Sequence, residues 1–139
     1  MEIKNLNECK RWLHMADMDF GVAEHLFKTY HPKPCEIICY HCQQCAEKAI
    51  KAIIIAVGVS GEAPRVHDLS YLLNQVADKV EIDEKYYDYA DTLTPYGVSV
   101  RYPNELFLEE RHAEKAIQMA DKILKWAKAI LNISNEDEE

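Results

Sequence analysis

The segment Cys35–Val57 constrains this chain more than any other. It runs from CEIICYHCQQ to AIIIAV between Pro34 and Gly58. The stretch Gln43-Gln44-Cys45-Ala46-Glu47-Lys48-Ala49 is rich in strong helix formers, which outweigh the β-branched run Ile53-Ile54-Ile55. A helix with so little polar face is unstable on the outside of a globular domain, because water would meet apolar side chains on nearly every side. The spacing therefore predicts a central helix that needs other helices around it.

The rest of the chain supplies them. Residues 6–30 place Trp12, Leu13, Ala16, Phe20, Ala23, Leu26 and Phe27 at helical spacing, with Asn5 or Asn7 as a cap and His31-Pro32-Lys33-Pro34 as a stop. A third helix is expected near His67-Asp68, turning Leu69, Leu72, Leu73 and Val76 inward. Asp83 is a natural N-cap for a fourth, ended by Pro95 and Gly97. Residues 98–108 read as a connection around Pro103, and residues 109–133 as a last amphipathic helix carrying Ala113, Ala116, Ile117, Ala120, Ile123, Leu124, Ala127 and Leu131. With only 4 Gly and 5 Pro in 139 residues, long loops are disfavoured. The expected architecture is all-α: an up-and-down bundle of four to five helices over residues 1–133, followed by an acidic disordered tail, 134–139.

Charge and cysteine usage narrow the function classes. The formal net charge is −8; Glu136-Asp137-Glu138-Glu139 supply four of those charges, which leaves −4 on the body. A mildly acidic body argues against broad, sequence-blind nucleic-acid binding and leaves room for a local basic cleft. No apolar run approaches the roughly 20 residues of a membrane span, and the first residues lack a signal-peptide pattern. An odd number of cysteines, 5, is no secreted disulfide framework. A cytoplasmic protein is the expectation.

Four groups of residues invite chemistry. Cys35, Cys39, Cys42 and Cys45, with His41 among them, suggest metal ligation or redox duty. Helix geometry limits this, because Cys35 and Cys42 are roughly 10 Å apart along the axis and zinc–sulfur bonds are near 2.3 Å. Core packing is the favoured reading and a metal-binding helix the alternative. His67 beside Asp68 is either an oriented general base or a packing histidine that anchors a turn. Arg101-Tyr102-Pro103-Asn104-Glu105 offers a phosphate or anion contact through Arg101, Tyr102 and Asn104, against a plain turn with a surface ion pair. Lys48 and Lys51 either line a cationic groove or snorkel from the polar edge of the central helix. His112, among Glu109, Glu110, Arg111 and Glu114, reads as a solvated surface histidine. No cofactor motif is present: neither a P-loop, a dinucleotide glycine fingerprint nor a nucleophile elbow occurs.

In order, these features resemble the HEPN family of small stand-alone domains. The resemblance rests on the Trp12 helix, Gln44-Cys45-Ala46-Glu47-Lys48-Ala49-Ile50-Lys51-Ala52, Val66-His67-Asp68-Leu69-Ser70-Tyr71-Leu72-Leu73, Arg101-Tyr102-Pro103, and Ala113-Glu114-Lys115-Ala116-Ile117 leading to Trp126. It implies a bundle of four main helices and a short one, usually dimeric. It also implies a nucleotidyltransferase-family partner in a toxin–antitoxin-like system, with nucleotide or RNA as ligand. Catalytic members are metal-independent ribonucleases, carrying an Arg, usually a polar residue after it, and a His four to six positions on. Two copies of that motif meet across the dimer.

Here Tyr102 and Pro103 follow Arg101, and the nearest downstream histidine is His112, outside that spacing. That departure moves the expectation toward a binding and pairing module. A ribonuclease using a non-standard pair, Arg101 and His67, is the alternative. A homodimer is expected as well, on the view that the central and last helices carry more apolar surface than a small bundle buries alone.

Overall fold

The computed structural model describes residues 2–58, 60–99 and 107–132. Within them the chain forms α1 (Leu6–Thr29), α2 (Cys35–Val57), α3 (Leu69–Asn74), α4 (Glu84–Leu93), α5 (Tyr96–Ser99) and α6 (Glu110–Leu131), with no strand among the described residues. The five helices expected from the sequence are present, and α5 adds one turn. The boundary at residue 133, the acidic tail, and Arg101, Tyr102 and Asn104 lie outside the described residues.

α2 is the axis of the bundle. Seventeen of its 23 residues are buried, against five of 24 in α1 and eight of 22 in α6. It packs mainly against α1 and α6, and α3, α4 and α5 close over its remaining side. Ile38, Ile50 and Ile53 are fully buried, each contributing about 1.5–3 kcal/mol of apolar burial. All five cysteines are free and buried. Cys9, Cys35, Cys39, Cys42 and Cys45 belong to the one hydrophobic core, where a thiol packs as a small apolar group.

The helix ends follow local chemistry, with one departure. Asp68, near which the third helix is expected to begin, caps α3 by accepting from the backbone N–H of Tyr71 at 3.2 Å. Asp83 caps α4 as expected, accepting from Lys85 N–H at 3.0 Å. Asn5 stands at the N-cap of α1 in a left-handed conformation (φ 55°), yet its side chain makes no cap hydrogen bond. Its amide instead donates to the carbonyl of Ile55 at 3.4 Å, while Lys4 N–H donates to Ala56 at 2.9 Å. The start of the chain thus satisfies carbonyls that the end of α2 leaves open.

α5 lies where the sequence predicts only a helix stop. Pro95 is tolerated just ahead of a helical turn because an N–H there would have no helical partner. The turn then forms through Gly97 N–H to Thr94 at 3.2 Å and Val98 N–H to Pro95 at 3.4 Å. Gly97 sits against the side chain of Gln43 so closely that a Cβ would fall 2.6 Å from its Cδ. The surplus apolar surface also lies elsewhere than expected. α6 leaves no large apolar side chain exposed among the described residues, because its apolar face is spent on α2 and α1. Among the exposed ones, α1 carries Leu6, Met15, Met18 and Val22, of which Met15, Met18 and Val22 share a stripe; Tyr30, Ile37, Tyr71, Val98 and Phe107 are scattered over other parts of the chain.

Because Gln43 is wholly buried, it has little room to yield to a larger neighbour. Gly97→Ala is expected to cost about 1–3 kcal/mol of stability, measured by urea unfolding. An unchanged midpoint would show that α5 does not rest on α2.

Candidate functional site

α2 carries charged and polar residues in two groups, at Gln43, Glu47 and Lys51 and at His41 and Lys48. Residues four apart on a helix lie one above the other, so Gln43, Glu47 and Lys51 form a ladder along one edge. Gln43 Nε2 donates to Glu47 Oε1 at 3.0 Å, and Lys51 Nζ donates to Glu47 Oε2 at 3.0 Å. Gln43, Glu47 and Lys51 are all buried. Lys51 also rests near the Trp12 ring of α1, 5.9 Å from its centroid. Gln43 is fixed further by donating to the His67 carbonyl at 3.3 Å and by accepting from Gln44 at 2.8 Å.

The ladder reaches the surface through His67. This residue lies in the loop before α3, held there by the Asp68 cap and by Leu69 N–H donating to Thr94 Oγ1 at 3.1 Å. Its Nδ1 is 2.9 Å from Glu47 Oε1, while its side chain is 64% exposed against 6% for that of Glu47. Burial alone would raise the Glu47 pKa, but hydrogen bonds from Gln43, His67 and Lys51, with the Lys51 charge, outweigh it and hold the pKa below its ordinary value of 4.5. An ionised carboxylate only accepts hydrogen bonds. The nitrogen facing it must therefore carry the proton, and in the neutral ring Nε2 keeps a free lone pair. The result is an exposed imidazole oriented by a buried carboxylate, suited to taking or giving a proton or to contacting an anion when charged.

A second group repeats the arrangement on the α1 side of the same helix. Asp19 of α1, itself buried, joins His41 Nδ1 at 2.8 Å and Lys48 Nζ at 2.5 Å. Each carboxylate thus bridges one imidazole and one ammonium. Asp19 links α1 to α2, and Glu47 links α2 to the loop before α3.

Of the sequence-chosen residues, the structure brings His67 and Lys51 together on Glu47 and leaves Lys48 on Asp19. Both lysine charges meet carboxylates rather than opening a cationic groove. His112 is half-buried rather than solvated, and its Nδ1 accepts from Glu109 N–H at 2.9 Å, which places it in the start of α6. Arg101, Tyr102 and Asn104 lie outside the described residues.

The cysteines favour packing over metal. Burial pushes the Cys9 thiol up to about 11 and that of Cys39 to about 12, and raises Cys35, Cys42 and Cys45 as well. Metals bind the thiolate, which such an environment disfavours. Among the described residues no group of three or more His, Cys, Asp or Glu side chains is placed to share a metal. No helix among them is long and apolar enough to cross a membrane.

Sequence reading missed Asp19 and Glu47. A carboxylate inside an apolar helix with a lysine four residues on was the available signal for Glu47. No local pattern announces Asp19, whose partners are 22 and 29 positions away.

The HEPN domain family matches residues 9–130. A Methanocaldococcus jannaschii protein named "Putative toxin MJ1304" is 31% identical over 143 residues, covering 91% of this chain and 90% of that protein. The crystal structure of ST0689, described as an archaeal HEPN homologue, superposes with a TM-score of 0.68 at 26% identity, covering 89% of this chain and 98% of that one. The structure of TT1696 from Thermus thermophilus gives a TM-score of 0.75 at 24% identity, over 88% and 98% of the two chains, and shows the shared fold alone.

Replacing Glu47 by Gln removes the charge that holds Lys51 and orients His67. At neutral pH the substitution is expected to destabilise the fold by about 3 kcal/mol, since it leaves a buried ammonium uncompensated. A depressed carboxylate pKa contributes stability that is complete above 4.5 and is lost as pH falls through the lower, folded-state value. The gap between the two proteins should therefore shrink on acidification below 4.5. Urea unfolding from neutral to acid pH checks this, and a constant gap would contradict it.

Proposed function

The chain belongs to the HEPN family, and we propose that it is the toxin-like member of a two-component pair. In this reading it is a homodimer that pairs with a nucleotidyltransferase-family partner and takes nucleotide or RNA phosphate at its His67 surface. The observation that carries this is the oriented, exposed His67 on the buried Glu47. A protonated or neutral imidazole held in this way addresses a phosphate oxygen or a ribose hydroxyl without reorganisation at the moment of contact. Arg101, with Tyr102 and Asn104, supplies the anion contact in this proposal, because a guanidinium matches a phosphate bidentately. Lys48 and Lys51 serve by fixing the carboxylates rather than as free cations. The family membership and the toxin name of the Methanocaldococcus relative support the toxin-like role. The open stripe Met15, Met18, Val22 on α1 supports self-association, since a contiguous exposed apolar patch marks a surface for a partner.

A ribonuclease reading has its own support in the Glu47–His67 pair, which supplies a general base for 2′-OH attack with Arg101 on the phosphate charge, and needs no metal.

One set of measurements separates these readings. Light scattering should give a dimer mass, and labelled RNA should bind with an affinity that falls about 10-fold or more in His67→Ala or Arg101→Ala. RNA cleavage in the presence of EDTA, lost in both variants, selects the ribonuclease; binding without cleavage selects the pairing module. A monomer that binds neither RNA nor nucleotide would overturn both.

A further inference from the structure

The charge of the chain is −8, yet one face of α6 collects positive charge. Arg111, Lys115, Lys122 and Lys125 are exposed and fall at spacings of four, seven and three, so they form one stripe down the helix. Arg111 is paired with Glu109 at 3.2 Å and Lys125 with Asp121 at 3.0 Å, whereas Lys115 and Lys122 meet no carboxylate among the described residues. Two adjoining cavities open along it. One, of about 300 Å³, lies between α4 and α6 and is lined by Asp88, Tyr89, Thr92, Lys115, Met119 and Lys122, with Gln118. The other, of about 420 Å³, continues toward the start of α6 past Arg111, His112 and Glu114, and shares Lys115 and Gln118 with the first. Together they make a groove in which Lys115 and Lys122 are the cations without a carboxylate partner among the described residues, with Arg111 paired to Glu109 at its end and Asp88 and Glu114 on its rim.

Aromatic rings border the groove. Lys122 Nζ lies 3.4 Å from Tyr89 Oη and 5.7 Å from its ring centroid. Tyr89 meets Tyr86 edge to face at 5.8 Å, and Tyr86 stacks on Trp126 of α6 at 4.9 Å. These ring contacts place Tyr89 at the edge of the cavity. Lys115 makes no ion pair among the described residues, so its charge is available to a ligand. Lys115 and Lys122 are two helical turns apart, about 10.5 Å along the axis.

We propose that this groove between α4 and α6 is a nucleotide-binding subsite, separate from the Glu47–His67 site. Lys115 and Lys122 take phosphate, and Tyr89 with Met119 offers the flat, apolar wall that a base needs. Nucleobase stacking on an aromatic wall beside lysines is sequence-tolerant and suits single-stranded RNA. A free nucleotide presents the same chemistry, and the groove volume fits either source. The subsite rests on the reading that this protein handles RNA or nucleotide, and names where such a ligand is held away from His67.

The test uses the full chain. Binding of a fluorescent single-stranded oligouridylate is followed by anisotropy across a salt series, and binding of ADP by calorimetry. Lys115→Glu/Lys122→Glu is compared with Arg11→Glu/Lys28→Glu, which makes the same charge change at exposed positions of α1, and with His67→Ala. The expected result is at least about a 10-fold loss of RNA affinity in the α6 variant, with a salt slope lower by about 1.4 from two lost phosphate contacts. The α1 variant should stay near the parent. ADP binding that depends on the two lysines without RNA binding identifies a free nucleotide as the source and supports the subsite equally. RNA or ADP binding that falls in His67→Ala but not in the α6 variant would overturn the subsite while sparing the His67 reading. Absence of both ligands from the parent protein would overturn the two together. Circular dichroism of the α6 variant confirms that the helix is intact, as expected for exposed positions.

Discussion

The burial of α2 on nearly all sides is the constraint from which the rest of the structure follows. A helix that hides Ile38, Ile50, Ile53 and four cysteines cannot be left beside solvent, so α1 and α6 take its two long flanks and α3 to α5 close the remainder. The small residues on its surface, Cys39, Cys42, Cys45, Ala46, Ala49 and Ala52, let the neighbouring helices come close. Cysteine here is a packing choice, and burial holds the thiols protonated, away from the thiolate form that metals and oxidants need.

The same burial dictates the polar geometry. Glu47 and Lys51 are carried into the interior by the helix that bears them, and an unpaired charge there is far costlier than a paired one. Each must find partners with good geometry, and the partners that reach them are fixed in space as a result. Gln43 and Lys51 come from the same edge of α2, while His67 comes from a loop that the Asp68 cap and the Thr94 hydroxyl hold in place. An exposed imidazole thus inherits the rigidity of the core. Asp19 with His41 and Lys48 shows that the solution is used twice along one helix.

The helices were legible because their signals are local. The limits of α2 follow from Pro34 and Gly58, and the Asp83 cap of α4 can be read within a few residues. α5 was not legible, since Pro95 and Gly97 look like a stop, and only contact with Gln43 explains why a turn forms there. The site was legible in part. His67 stands out as a histidine beside an acidic residue near a helix start, but its partner is 20 residues away, and Asp19 gives no local sign of its pairing. Lys48 and Lys51 were visible as charges on an apolar helix, whereas their inward direction depends on α1 and on which edge of α2 faces it. The apolar surplus was misplaced for the same reason: α6 looks rich in apolar residues until α2 covers them, and α1 is left with Met15, Met18 and Val22 outside.

The family assignment supplies the fold, and the chemistry proposed for it rests on how His67 is held. Nitrogen-detected NMR of the histidine rings tests that directly, at a pH where the His67 ring is neutral. An ionised Glu47 facing Nδ1 requires the proton to sit on Nδ1, leaving Nε2 as the outward lone pair. The predicted result is the Nδ1–H tautomer for His67. Finding the proton on Nε2, as in a free imidazole side chain, would contradict the account, because the buried carboxylate would then not be orienting the ring.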